Sequence, residues 1–570
     1  MTAVHLGFLP WALGGVHVWS QFVSLGLAAV GFVLALGVRG DPPSGSALAQ
    51  PAAKLWRWPF FWAGLVTLAY IAVQGFNPSW RFVADGRSWW LVPIPHLAWL
   101  PTGVAAPFAR SNPWRGFLVL GSLWLLVCSV RRGFLRRQSF RVLFALLTAN
   151  AGLLALLGMA EQITGTPRIF WSYTPSNPQF VASFIYRNHA GAYFDLMVAL
   201  AAALAWWHYR RSRRLLESPA QTVFFAFLAA FVALIVIFSA SRMAIFLILV
   251  FGIVVAGTSI AQFLRRDGEG EGGREAVSVL AALAACLLIG LIAIGADTVW
   301  GRFAELANDP AATLRDRMWV RQAAGQMLRD RWFFGWGAGC FRYGFPLYAQ
   351  HYPTVYEYGN GLRKYWEHAH DDLLEIPIEL GAAGLLPIAA TLASGLPGLR
   401  RRRFWRNPVS FCIILACALT VAHGWLDFVF QCPAVLLTWS VVPGDPQTEI
   451  SREARRVLES ATDARGRRLD VGLLPSPGPL FMNAEEASGI TSNPHAQARR
   501  AGDRMAGSYV NFLITTTSVV YPHLDPRYDE VVGDLLGNEF PERRIEGIPA
   551  REILLGGGNI HCITQQVPRA

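Results

Sequence analysis

Residues 222–263 read TVFFAFLAAFVALIVIFSASRMAIFLILVFGIVVAGTSIAQF, two apolar runs that meet at a single charged residue, Arg242. Each run, Thr222–Ala240 and Met243–Phe263, is close to the ~20 residues that carry a helix across a bilayer. A charge at such a junction is expensive unless it is paired or borders water, so Arg242 stands out by position alone. The plainer alternative is a short hairpin whose guanidinium reaches the interface.

Working outward, runs of the same kind recur at Val18–Val38, Phe60–Phe76, Gly116–Val130, Val142–Met159, Ala190–Trp207, Val277–Ala296, Leu373–Leu396 and Val409–Trp425. The sequence therefore predicts a mainly α, polytopic membrane protein with about 10–11 transmembrane helices. A further run, Pro433–Val442, is too short to cross alone. Composition agrees: of 570 residues 53% are hydrophobic and only 15% charged, against about 25% charged in soluble domains. The 22 Trp suit membrane–water interfaces.

The net charge of +12 does not point to nucleic acid, because clusters such as RRGFLRR (131–137) and GLRRRRFWR (398–406) adjoin apolar runs. They read as cytoplasmic anchors. Basic stretches at Arg39–Arg57, Arg131–Arg141, His208–Arg214, Arg265–Arg274 and Arg400–Arg406 fall on alternate connections, so all can be cytoplasmic together. Asn77–Arg115, Glu161–His189 and the long loop 297–370 then face the periplasm. Four of the seven cysteines (Cys128, Cys286, Cys412 and Cys417) lie inside apolar runs as small hydrophobes, and no cysteine or histidine spacing suggests a metal site. No cleavable leader is expected, since the first apolar run continues to Val38 without a basic start.

Three ionisable groups recur at span ends on the expected periplasmic side: Arg187 in FIYRNHAGAY (184–193), Arg242 in FSASRMAIF (238–246) and His370 in EHAHDDLLEIPIELG (367–381). Gly381 follows His370 by eleven residues, almost three helical turns, which would put both on one face and leave room for a bulky substrate. Arg317 and Arg321, four apart in RDRMWVRQAAGQMLRDRW (315–332), suit an amphipathic helix whose charged side is simply solvated.

These elements carry a resemblance. SASRMAIF, FIYRNHAGAY, the Arg/Trp and glycine-rich RDRMWVRQAAGQMLRDRWFFGWGAGCFRYGFP (315–346), HAHDDLLEIPIELGAAGLLP (368–387) and HGWLDFVFQCPAVLLTW (423–439) follow one another as in the bacterial O-antigen ligase and polymerase family, over residues ~140–440. The resemblance implies a C-type glycosyltransferase-like fold and transfer of a glycan from undecaprenyl pyrophosphate to an acceptor hydroxyl. The acceptor could be lipid A-core, a glycan or a protein. It casts His370 as the base and Arg187, Arg242 and Arg317 as substrate-binding cations, with no metal or other cofactor needed where arginines hold the diphosphate. Asp371 stands where the family often has Asn, adding an anion beside the base.

After Val442 the apolar runs stop, and SYVNFLITTTSVVYP (508–522) reads as strands. The expected domains are thus 1–442, in the membrane, and 443–570, a soluble α/β segment. Here PGDPQTEISREARRVLESATDARGRRL (443–469), GDRMAGSYVNFLITTTSVVYP (502–522) and IPAREILLGGGNIHCITQQVP (548–568) resemble agmatine deiminase. That family implies part of a propeller of αβ repeats, with Cys562 as nucleophile. The segment is about a third of such a propeller and lacks most of its carboxylates and its histidine, so it is expected to be catalytically incomplete. Two other classes compete: a lipid-linked oligosaccharide transporter, against which stands the absence of an internal repeat, and a membrane-anchored deiminase making a putrescine precursor.

Overall fold

The structure, a computed structural model, describes residues 1–37, 55–56, 58–85, 88–134, 137–215, 218–264, 310–357, 363–401 and 408–441. Toward the C-terminus it describes scattered positions from 462 to 480, then 481–489, 505, 507–526, 528–556 and 558–564. The expected span Val277–Ala296, the basic connection 265–274 and the start of the long loop lie outside the described residues. Contacts divide the chain into two compact units, Met1–Glu449 and Ile450–Ala570.

The first unit is helical. In order come α1 (Thr2–Trp11), α2 (Val18–Gly37), α3 (Pro59–Phe76), α4 (Pro113–Gly133), α5 (Arg137–Ile163), α6 (Arg187–Leu215), α7 (Ala220–Phe238) and α8 (Arg242–Leu264). They are followed by α9 (Pro310–Asp330), α10 (Asp372–Arg401), α11 (Pro408–Leu426) and α12 (Pro433–Ser440). Among the described residues eight helices are long and apolar enough to cross a membrane: α2 to α7, α10 and α11. The apolar part of α8, Arg242–Thr258, is shorter. Proline opens α3, α4, α11 and α12, where its missing N–H costs no helical bond. Asn112 caps α4 by accepting from the Arg115 amide at 3.1 Å. Two elements had no clear signature in the sequence. One is α1, whose Leu6 and Leu9 are fully buried. The other is a sheet between α3 and α4, where β1 (Pro78–Ala84) pairs antiparallel with β2 (Trp89–Pro93) and parallel with β3 (Gly103–Ala105).

At the centre stands α6, packed on α5, α7, α8 and α11. Its Ala190, Ala192, Ala199, Ala201 and Ala203 are almost wholly buried, the small side chains that let membrane helices approach closely. Gly191 shows how closely, since a Cβ there would lie 2.5 Å from that of Ala244 on α8. Large apolar side chains point outward instead: Phe224, Phe227, Phe246 and Ile253 are all exposed, as a lipid-facing surface requires.

The expectation for Gly381 is corrected. His370 precedes α10 rather than lying on it, and Gly381 interrupts the helix with φ 64° and ψ 178°. Into this break fits the glycine-rich loop: the amides of Trp336 and Gly337 donate to the carbonyls of Ile378 and Glu379 at 2.8 and 2.9 Å. In return the amides of Ala382 and Ala383 donate to Trp332 and Phe333 at 2.8 and 2.9 Å. From α3, the Tyr70 hydroxyl lies 2.8 Å from both the Leu380 and Phe334 carbonyls, and the Gln74 amide donates to Glu379 at 3.2 Å. A helix broken inside a membrane survives only when such partners satisfy its freed backbone groups. Gly381 is therefore occupied by protein backbone and offers no room for substrate.

In the second unit, β4 (Leu513–Ile514) pairs antiparallel with β5 (Ser518–His523), and β5 parallel with β6 (Arg544–Pro549). The helix α13 (Asp529–Glu539) makes the crossover between β5 and β6. Tyr509, Val519, Tyr521, Val532 and Leu536 form its core.

Candidate active site

Arg187 is the first residue of α6 and Arg242 the first of α8. The two helix starts touch, since a Cβ at Gly191 would lie 3.3 Å from that of Ser241. His370 sits just before α10 in a left-handed conformation, φ 53°. For a residue with a Cβ this costs about 1–2 kcal/mol, so its surroundings must impose it. They do so from both sides. The Ala369 amide donates to Glu375 at 2.6 Å, while Asp371 accepts from the Leu374 amide at 3.2 Å and pairs with Arg321 at 3.1 Å. Asp371 is thus tied to a helix start and an arginine. Its burial raises the carboxyl above its ordinary range, against the pull of Arg321.

Held this way, the His370 ring meets Asp427, which lies just past the end of α11, with Nδ1 and Oδ1 3.5 Å apart. The Asp427 side chain is 4% exposed. Burial opposes its charge, but the hydrogen bond and charge of His370, the charge of His423 and the Phe428 amide prevail and hold the carboxyl down at about 2. An ionised Asp427 at this distance favours the tautomer that carries its proton on Nδ1, which leaves the His370 Nε2 lone pair to take a proton. Asn188 also donates to Asp427, and the Tyr186 hydroxyl does so at 3.4 Å.

The next residue, Phe428, gathers the rings. Tyr186 and His368 stack on it at 4.8 and 4.6 Å, and His189 and His370 meet it edge-on at 5.1 and 4.7 Å. His368 forms a second histidine–carboxylate pair, donating from Nδ1 to Glu375 at 2.7 Å. Burial disfavours its imidazolium, but Glu375 outweighs burial and raises the His368 pKa.

Cations surround this cluster. Burial and Asp427 raise the Tyr186 phenol, while the charges of Arg187 and Arg317 act on it in the opposite sense, so both guanidiniums lie within electrostatic reach. Arg317 and Arg321 do not face solvent alone: they donate to the carbonyls of Leu426 and Trp425 at 3.4 and 2.6 Å, at the end of α11. Positive charge there complements the helix terminus. Sequence reasoning did not single out Asp427, Asn188, Tyr186, His368 or Glu375. All five lie inside stretches that carried the family resemblance, but pairing across distant segments leaves no local pattern that would mark them individually. Among the described residues no group of three or more His, Cys, Asp or Glu is placed to hold a metal ion.

In the second unit Cys562 is exposed, in a short turn at Ile560–Ile563. Asn511 donates to its sulfur at 3.1 Å and accepts from the His561 amide at 2.8 Å. The Asn511 bond, followed by a backbone bond within the turn, lowers the thiol pKa. A Cβ at Gly558 would come within 2.6 Å of the Cys562 Cβ, so the chain turns tightly there.

Comparison with known proteins finds two separate matches along the chain. Residues 225–389 match the O-antigen ligase family model, and residues 427–568 match that of Porphyromonas-type peptidyl-arginine deiminase. Arg242, Arg317 and His370 fall inside the first match; Arg187 precedes it, and Asp427 begins the second. Over 134 residues the chain is 53% identical to putative agmatine deiminases of Shewanella sp. (strain W3-18-1) and Shewanella baltica (strain OS223), covering 24% of this chain. It spans just over a third of the length of these curated relatives, 36%. The solved agmatine deiminase of Enterococcus faecalis is 32% identical, covering 22% of this chain and 36% of its own, with a TM-score of 0.20.

Proposed function

We propose that residues 1–442 are a glycosyltransferase of O-antigen ligase or polymerase type in the bacterial inner membrane, with its site facing the periplasm. The observation that carries this reading is the His370–Asp427 contact, 3.5 Å, among the charges of Arg187 and Arg317. An acceptor hydroxyl gives its proton to His370 Nε2 as its oxygen bonds to the anomeric carbon of the donor sugar. The bond from that carbon to the pyrophosphate oxygen breaks, and the electron pair leaves with the undecaprenyl pyrophosphate. Arg187, Arg242 and Arg317 hold the diphosphate as its charge grows, and guanidinium forks suit that geometry. Asp427 keeps the imidazole in the tautomer that accepts.

The acceptor is a lipid A-core, glycan or protein hydroxyl. Mass spectrometry of lipopolysaccharide and glycoprotein from a deletion strain tests the proposal. One glycoconjugate should be lost, restored by the wild-type gene and not by His370→Ala; unchanged glycoconjugates would sink it.

The 53% identity to agmatine deiminases favours a second reading for the C-terminal part, guanidine hydrolysis at Cys562. Our reading is that this fragment is inactive, because hydrolysis also needs carboxylates for the guanidinium and a proton donor for departing ammonia.

A further inference from the structure

The transfer proposed above leaves two ionisable side chains of the membrane interior unused. Asp195 on α6 and His423 in the last turn of α11 line one cavity, of about 20 Å³ available to the centre of a water molecule. Its other walls are apolar, among them Leu247, Ile248 and Phe251 of α8, with Thr420 as a third polar group. His423 is 0% exposed. Neither oxygen of Asp195 and neither ring nitrogen of His423 has a hydrogen-bond partner among the described residues. The Thr420 hydroxyl donates to the Ala416 carbonyl at 2.9 Å and keeps its capacity to accept.

Ionisable groups inside a membrane domain are costly and face one another or a polar cavity. Apolar cavities stay dry, whereas a polar one of this size with two to four partners suits one water. We propose that Asp195, His423 and Thr420 bind a single water inside the membrane domain, and that Asp195 and His423 hold one proton between them through it. At rest the carboxyl carries the proton and the imidazole is neutral. The two groups share no direct hydrogen bond, so an ion pair across the cavity would leave both charges poorly solvated. Movement of the proton from carboxyl to water, with a second proton passing from water to imidazole, interconverts the two forms without changing their total charge.

Several charged or titratable groups bear on this pair. From α6 comes His189. From α10 comes Asp372, whose Oδ2 lies 3.2 Å from where a Cβ at Gly424 would stand. Asp427 follows α11, and Arg317 and Arg321 bind the last carbonyls of that helix. The α8 wall, Leu247, Ile248 and Phe251, carries no charge. A proton on His423 would lie within electrostatic reach of Asp427, the carboxylate beside His370. That link rests on the transferase reading; the site itself does not.

Infrared spectra of the full chain in lipid nanodiscs, in H₂O and D₂O at neutral pH, test this without any activity assay. The wild type should show a carboxylic-acid carbonyl band that shifts on deuteration, is missing in Asp195→Asn and moves in His423→Gln. If Asp195→Asn removes no such band, Asp195 does not carry the proton and the proposal fails. A band unmoved in His423→Gln refutes the shared site, and this variant alone decides the matter where Asp195→Asn does not accumulate. Loss of transfer in a deletion strain is read separately, so failure of one proposal leaves the other standing.

Discussion

Asp427 Oδ1 lies 3.5 Å from His370 Nδ1, which joins the start of α10 to the end of α11 through a buried carboxylate and a half-buried imidazole. Asp427→Asn keeps the shape and removes the charge, so the imidazole loses its preferred tautomer. Transfer should fall toward the about 10²–10⁴-fold loss expected for His370→Ala, mainly in kcat, with membrane abundance retained. Equal kcat in wild type and Asp427→Asn would remove Asp427 from the mechanism.

The same carboxylate should mark the acid limb of stability. Its folded pKa of about 2 lies below its ordinary 3.8, so its contribution, about 2 kcal/mol, is fully present above pH ~4 and lost as pH falls through ~2. Thermal unfolding of the full chain in detergent should show the wild type losing stability more steeply than Asp427→Asn across that window. Parallel curves would contradict the assignment.

Arg242 opens α8 at its contact with α6. Lysine keeps the charge but loses the planar fork that grips two phosphate oxygens. With Arg242→Lys, transfer should drop at least about tenfold and lipid-linked donor should accumulate. Full activity would favour a guanidinium that merely reaches the interface.

Gly381 is filled by backbone: a Cβ there would lie 2.4 Å from the Phe333 carbonyl oxygen, at φ +64°. Gly381→Ala should therefore destabilise the membrane unit by about 1–3 kcal/mol, read as a lower abundance or melting temperature. A changed KM with unchanged stability would restore the idea that this glycine makes room for substrate.

Orientation can be tested in the long loop, though not at Cys340, which is fully buried. Gln350 is exposed. In a Cys562→Ser background, which removes the exposed native thiol, a thiol introduced as Gln350→Cys should react with a membrane-impermeant reagent in intact spheroplasts, with Cys340 labelled only after denaturation. Labelling of Gln350→Cys only after permeabilisation would reverse the topology.

For the C-terminal part, the full chain should release no ammonia or N-carbamoylputrescine from agmatine above a Cys562→Ala control. Cys562-dependent turnover would make the protein bifunctional.

By itself the sequence determined the helical membrane class, since runs such as Thr222–Ala240 carry their length and apolarity in consecutive residues. It also drew attention to Arg187, Arg242 and His370, because charge beside an apolar run is a local signal. The compositional break near Val442 is a local signal of the same kind. What only the tertiary structure decided is which groups meet. Helical period placed Gly381 on the face of His370, but the loop around Gly335 enters the chain at Gly381 and breaks that period, because backbone hydrogen bonds from another segment outweigh continuation of the helix. Asp427 pairs with His370, and Asp195 shares a cavity with His423, through contacts between residues far apart in sequence. Such pairings depend on how helices pack, and no local spacing records them.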